Sequence, residues 1–350
     1  MTIGSPTRRN FLRYAGAAVA VAVGGRAFAG EDDPLDFKRN WGGSYYQPRF
    51  PKDYLNNELA TGRMDDVGVA IVLAMDSSGS MTDEEWKIQL RGAASALMPR
   101  TGMGGPGEPL TGLVESAIRH KAGLKSVAIC VVDFSSDASL RIPWVDLRAD
   151  DPDLALRMQL LAAKVATLPR KHSGSTELTE MLQYIDRVLD YCPWKVKEKR
   201  VLDVSCDGKE GDILPPLHAE RDKLAGKGVT INALAIVNEE PNLETYFYDN
   251  VVTRKMTRAA DNVLSEPGRV WAIARNMKPN NNSGSVLMSF DREVELALKL
   301  KISMEVADEQ TVRGLITATD VNSLGRDVIE GFIPQRPKDA PGKPPFIFRP

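Results

Sequence analysis

Cysteine and histidine are scarce in this 350-residue chain, with three of each. Cys130, Cys192 and Cys206 are odd in number and have no metal-like spacing, which argues against a zinc ribbon and for free, mostly buried thiols. His120, His172 and His218 fall at no His-x-x-x-His or triad-like spacing, so histidine-based zinc or esterase chemistry has no visible frame. The Gly-x-Ser-x-Gly elbow of a serine hydrolase is also missing around Ser80, which sits in Ser-Gly-Ser-Met. No apolar run is long enough to span a bilayer. Charge is balanced, 45 basic against 47 acidic residues, with no basic block and only 7% aromatics, which excludes the usual nucleic-acid-binding face. No internal repeat is present, and the length suits one large domain with attachments.

What is present is concentrated in Val67-Gly68-Val69-Ala70-Ile71-Val72-Leu73-Ala74-Met75-Asp76-Ser77-Ser78-Gly79-Ser80. The apolar, β-branched opening is the pattern of a strand covered on both faces. It stops abruptly, placing a carboxylate (Asp76) and two hydroxyls (Ser78, Ser80) on one tight loop. Open α/β sheets bind ligands at that end of a strand. Carboxylate and hydroxyl are hard oxygen donors, suited to Mg²⁺ or Mn²⁺ and not to zinc.

This loop resembles the Asp-x-Ser-x-Ser loop of the metal-ion-dependent adhesion site in von Willebrand factor A domains. That site also takes a threonine from a later loop and an aspartate from the end of a later strand. The resemblance implies Thr176, in Ser173-Gly174-Ser175-Thr176 ahead of a helical pattern (Leu178, Met181, Leu182, Ile185, Leu189). It also implies Asp207, in the Asp-Gly that ends the buried strand pattern Arg200–Cys206. Asp76, Ser78, Ser80, Thr176 and Asp207 would then hold one Mg²⁺ or Mn²⁺, with an open position completed by an Asp or Glu carboxylate from a partner protein. Three further stretches are similar to a bacterial exported family of A-domain-like proteins, DUF1194: Arg200–Gly208, Gly228–Asn232 and Glu244–Val251. That likeness runs over roughly residues 66–305. Cys206 stands where the pattern leads one to expect glycine, close enough to crowd or oxidise near the site but on no ligand, and the chain carries an extra C-terminal tail.

The fold implied is α/β: a three-layer, Rossmann-like, mainly parallel six-stranded sheet with one antiparallel edge strand and helices on both faces. From Val67 on, strand and helix patterns alternate. Thr82-Asp83-Glu84-Glu85 is a helix start, stopped by Pro99. Ser126–Phe134 is a second strand. Leu140–Val145, which contains a proline, is a short antiparallel edge strand. In the expected sheet order a strand lies between those of Cys130 and Cys206, too far apart for a disulfide. Phe290–Ile302 closes the domain as an amphipathic helix.

The N-terminus reads as a targeting segment. Thr7-Arg8-Arg9-Asn10-Phe11-Leu12-Arg13 resembles the twin-arginine export signal, followed by a weakly apolar stretch and the small-x-small pattern Ala27-Phe28-Ala29. Its removal takes four arginines and no acid, lowering the formal net charge by that amount from −2. The organisation expected is signal peptide 1–29, aromatic-containing arm 30–65, A-like domain 66–305 and Pro-rich tail 306–350. The tail's prolines exclude a helix or central strand at the end. The functional expectation is an exported, periplasmic, non-enzymatic module that binds a protein through a metal. The alternatives are an A-domain scaffold with a purely structural ion, and a metal-dependent hydrolase. His172 is read as a solvated loop residue near Thr176, and Asp133 and Asp137 as turn caps.

Overall fold

The computed structural model describes residues 59, 61–63, 65–100, 110–120, 126–210, 214–237, 240, 242–274, 289–317, 320–321, 324 and 326–333. All belong to one compact unit, Tyr46–Pro350. The strands are β1 (Val67–Asp76), β2 (Ser126–Phe134), β3 (Ala138–Arg148), β4 (Val196–Cys206), β5 (Val229–Val237), β6 (Thr257–Arg258), β7 (Leu264–Ser265) and β8 (Val270–Ala274). The helices are α1 (Asp83–Leu97), α2 (Leu113–His120), α3 (Leu154–Ala166), α4 (Leu178–Asp190), α5 (Leu214–Gly226), α6 (Leu243–Asn250), α7 (Phe290–Val306), α8 (Glu309–Leu315) and α9 (Arg326–Gly331).

Six strands form one sheet in the order β3-β2-β1-β4-β5-β8, and β6 and β7 pair separately. All neighbours in the large sheet are parallel except β2 and β3. β1 is central and buried along its whole length, as its unbroken apolar run requires. From β1 the chain builds outward through β2 to β3, then returns to β4 and builds the other way. That reversal opens a crevice between the carboxyl ends of β1 and β4, the place where such sheets bind ligands. The antiparallel edge strand is there as expected but longer than Leu140–Val145. Its pairing slips between Ile129↔Val145 and Val131↔Ile142. The exposed Pro143, which has no N–H to give the ladder, sits in that slip.

Both faces of the sheet are covered. Val69, Ile71, Leu73 and Met75 of β1 join the core cluster formed with α1, α2, α3 and α7. The alternate residues Ala70, Val72 and Ala74, which point to the opposite face, are equally buried. All three cysteines are free thiols, with β1 lying between the strands of Cys130 and Cys206.

Two boundaries differ from the sequence reading. α7 is not simply amphipathic, because it is buried from Leu296 to Val306 all round. Its outer face is covered by chain assigned above to the tail: Val312, Ile329, Phe332 and Ile333 belong to the core, and Trp271 Nε1 donates to the Phe332 carbonyl at 3.0 Å. Packed chain therefore continues past 305 to Ile333, in helices too short to show a period. At the other end, Leu59 is buried and Thr61 donates through its backbone N to Asp146 at 2.9 Å, so the last part of the arm packs on the domain. The signal peptide, the rest of the arm and the prolines from Pro334 on lie outside the described residues.

Candidate metal centre

β1 delivers Asp76 to the crevice, fully buried. The chain then turns, with Ser78 N donating to Asp76 Oδ1 at 2.7 Å, and Gln89 of α1 donating to the Asp76 carbonyl at 3.1 Å. The loop ends in a capping box: Glu85 N donates to Thr82 Oγ1 at 3.2 Å and Thr82 N to Glu85 Oε2 at 2.8 Å. This short-range arrangement fixes where α1 starts and so where the Asp76–Ser80 loop must end.

The five residues named from sequence come together. Ser78 Oγ and Ser80 Oγ share a hydrogen bond at 3.0 Å, and Ser80 Oγ donates to Asp207 Oδ1 at 2.8 Å. Asp207, immediately after β4, adjoins Asp76. Thr176 lies over Gly208: a Cβ at that glycine would stand 2.7 Å from Thr176 Oγ1 and 3.6 Å from Ser80 Oγ. Only a residue without a side chain lets the Thr176 loop approach this closely.

Burial pushes the Asp207 carboxyl up to about 7, helped by the neighbouring Asp76 charge. Burial raises Asp76 as well. Among the described residues no basic side chain pairs with either of these two adjoining buried acids. The donor set, two carboxylates and three hydroxyls, fits a hard divalent cation. Among the described residues no cluster of three or more His, Cys, Asp or Glu has metal-holding geometry. A centre here therefore depends on its hydroxyls.

Several neighbours were not read correctly from sequence. Cys206 does touch a named residue: its thiol donates to Asp76 Oδ2 at 2.8 Å. Burial holds that thiol well above its ordinary range, so it acts as a neutral donor. Asp133 is no turn cap. It is fully buried at the end of β2, paired with Arg141 and accepting from Ser139 Oγ at 2.6 Å. His172 is not a solvated loop residue, because its ring is mostly buried and meets Ser139 Oγ at 3.1 Å. Ser139 thus stands between acid and imidazole and is itself buried, whereas a serine triad needs the imidazole between acid and nucleophile. The Cys206–Asp76 and His172–Ser139 contacts join segments distant in sequence, whereas Asp133 meets Ser139 and Arg141 across the β2–β3 turn.

Fold and crevice together define a doubly wound, Rossmann-like α/β domain with an oxygen-lined pocket at its switch point. Residues 66–258, more than half of the chain, match the family model described as protein of unknown function (DUF1194), and the chain belongs to that family. No curated protein matches it in sequence. Among solved structures, it is similar to proximal thread matrix protein 1 from the mussel byssus with a zinc-occupied MIDAS motif, at 19% identity and TM-score 0.41, covering 68% of this chain and 48% of that one. It is also similar to a von Willebrand factor type A protein from Catenulispora acidiphila, at 16% identity and TM-score 0.39, over 68% of this chain and 43% of that one. A third is the manganese-loaded TRAP protein of Plasmodium vivax, at 16% identity and TM-score 0.32, over 48% and 57%. The chain spans about half the length of the mussel protein.

Proposed function

We propose that this chain is a metal-dependent binding module of the A-domain type. Asp76, Ser78, Ser80, Thr176 and Asp207 would hold one divalent cation, Mg²⁺ or Mn²⁺. The observation that carries this reading is the meeting of two adjoining buried carboxyls, unpaired with any base among the described residues, with three hydroxyls from two separate segments. A bound cation supplies an electrophilic position open to an outside oxygen ligand. The chain's own part is to orient that position. Asp76 is fixed from both sides by Ser78 N and Cys206, Ser80 holds Asp207, and Thr176 closes over Gly208. The exposed loop residues Gly79 and Ser80 leave the approach clear for a carboxylate from a protein partner.

The reading is non-enzymatic. Among the described residues the one hydroxyl described as meeting both an imidazole and a carboxylate is Ser139, which is buried and donates to Asp133, an order that differs from a serine triad. The protein is taken to be exported through its twin-arginine segment and to act in the periplasm. No helix among the described residues is long and apolar enough to cross a membrane.

The test is a pull-down from a periplasmic extract with Mg²⁺ or with EDTA, run beside Asp76→Ala. A partner retained only with Mg²⁺ and intact Asp76 supports the reading; equal retention by Asp76→Ala refutes it. Export is tested by cell fractionation of a chain carrying Arg8→Lys and Arg9→Lys, which is expected to stay in the cytoplasm.

A further inference from the structure

The Asp76–Ser80 loop and the Thr176 loop are tied together by one side chain, Arg170. Its Nε donates to the Ser77 carbonyl at 3.2 Å, across 93 residues of sequence. Its Nη2 donates to the Ser78 carbonyl, and its Nη1 to Asp83 Oδ1 at 3.0 Å. The side chain is only 18% exposed. Ser77 and Ser78 are the peptide units linking Asp76 to Ser80. One face of that turn is set by Asp76, which accepts from Ser78 N, and the other by the guanidinium. The backbone adds a cross-tie four residues past Arg170: Gly79 N donates to the Gly174 carbonyl at 2.7 Å. Both ends of the Thr176 loop are pinned as well, with Arg141 Nη2 donating to the Pro169 carbonyl at 2.8 Å and Glu177 N to the Ser135 carbonyl at 3.2 Å.

We infer that Arg170 is a positioning residue of the proposed centre, clamping the Thr176 loop onto the Asp76–Ser80 loop so that hydroxyls from both reach one point. This rests on the metal-binding reading. Arginine suits the place because its planar fork meets two carbonyls and a carboxylate at once, which a lysine ammonium on a flexible stem does not. Asp83 balances its charge, so the clamp adds little repulsion toward a cation nearby.

The experiment is calorimetric titration of the full chain with Mn²⁺ for wild type, Arg170→Ala, Arg170→Lys, Thr176→Ala and the Arg170→Ala/Thr176→Ala double variant. Thermal melts in EDTA and hydrogen exchange at the Gly79 amide run alongside. Arg170→Ala is expected to weaken Mn²⁺ binding about 10- to 100-fold, the range for residues that orient ligands. Arg170→Lys should fall between it and wild type, and also serves if the alanine variant does not fold. Thr176→Ala should weaken wild type clearly but change the Arg170→Ala protein little, since its hydroxyl is then already out of place. Gly79 exchange should quicken in Arg170→Ala while core strands stay protected.

Additive effects of Arg170→Ala and Thr176→Ala, or Mn²⁺ binding by Arg170→Ala within twofold of wild type, overturn the positioning role and leave the metal reading standing. Unchanged Gly79 exchange overturns the clamp itself. A wild-type chain that takes up no Mn²⁺ overturns the metal reading and, with it, the role assigned to Arg170.

Discussion

The buried acids fall into two groups, those under α7 and at β2 and those at the crevice, and they are treated differently. Under α7, Asp203 of β4 is paired with Lys301, and Glu305 accepts from Asn232 Nδ2 at 2.6 Å with Lys301, Lys199 and Arg269 in its field. At the end of β2, Asp133 is likewise given Arg141. At the crevice, Asp76 and Asp207 are just as deeply placed, yet among the described residues they have hydroxyls, a thiol and each other. Burying a charge without a partner is costly, and proteins normally supply the partner from within. This chain does so where the acids hold helix to sheet. At the crevice no described residue supplies that partner, and the proposed reading gives the place to a cation.

The largest expected effect lies on the internally paired side. Lys301→Met should strand Asp203 and destabilise the protein by about 3–5 kcal/mol, read by urea denaturation. If the loss were no larger than for a surface lysine, the pair would not be the counterpart claimed for it.

On the crevice side the opposite is expected. Asp76→Ala should leave stability in EDTA unchanged or slightly higher, while abolishing stabilisation by metal. For wild type that stabilisation should be about 2.7 kcal/mol when the free cation is a hundredfold above its Kd. Thermal melts with and without Mn²⁺ read both halves, and a severe loss in EDTA would mean Asp76 is a structural acid after all.

The pH response should separate the two sides further. Asp207 titrates near 7 in the fold against 3.8 in the free side chain. Between those values the folded state holds the extra proton, so stability without metal is fully present below about pH 4 and is lost as pH rises toward 7. A saturating divalent cation should remove that decline, because it takes the proton's place. Denaturation midpoints from pH 4 to 8 in EDTA and in Mn²⁺ measure it. A flat EDTA curve would show that the acids are not in mutual contact.

The smallest effect is Thr176→Ala. Loss of one neutral donor should cost about 1.4 kcal/mol, roughly tenfold in Mn²⁺ affinity, with no change in the EDTA melting temperature. A change in that temperature instead would make Thr176 a packing residue.

Which parts were legible follows from how far apart the cooperating residues lie. The Val67–Asp76 run, the Asp-x-Ser-x-Ser loop and the Thr82/Glu85 box are local: the residues that cause the structure are neighbours, so their order shows it. Strand count and edge strand were legible because alternation and proline placement carry their own geometry. Thr176 and Asp207 were found through a family resemblance and not through spacing. α7 misled because its lysines Lys299 and Lys301 read as solvated, whereas both are buried with acids, Glu295 and Asp203, that come in part from another element.

The sequence by itself therefore determined the central strand, the oxygen-rich loop that ends it and the helix that follows, each the work of residues within a few positions of one another. Only the tertiary structure decided that Cys206 donates to Asp76, that Arg170 grips the Ser77 and Ser78 carbonyls, and that the acids under α7 have their own cations while those at the crevice have none among the described residues. Such contacts arise when the sheet order brings chain ends together, and neither periodicity nor composition records which long side chain will meet which buried oxygen.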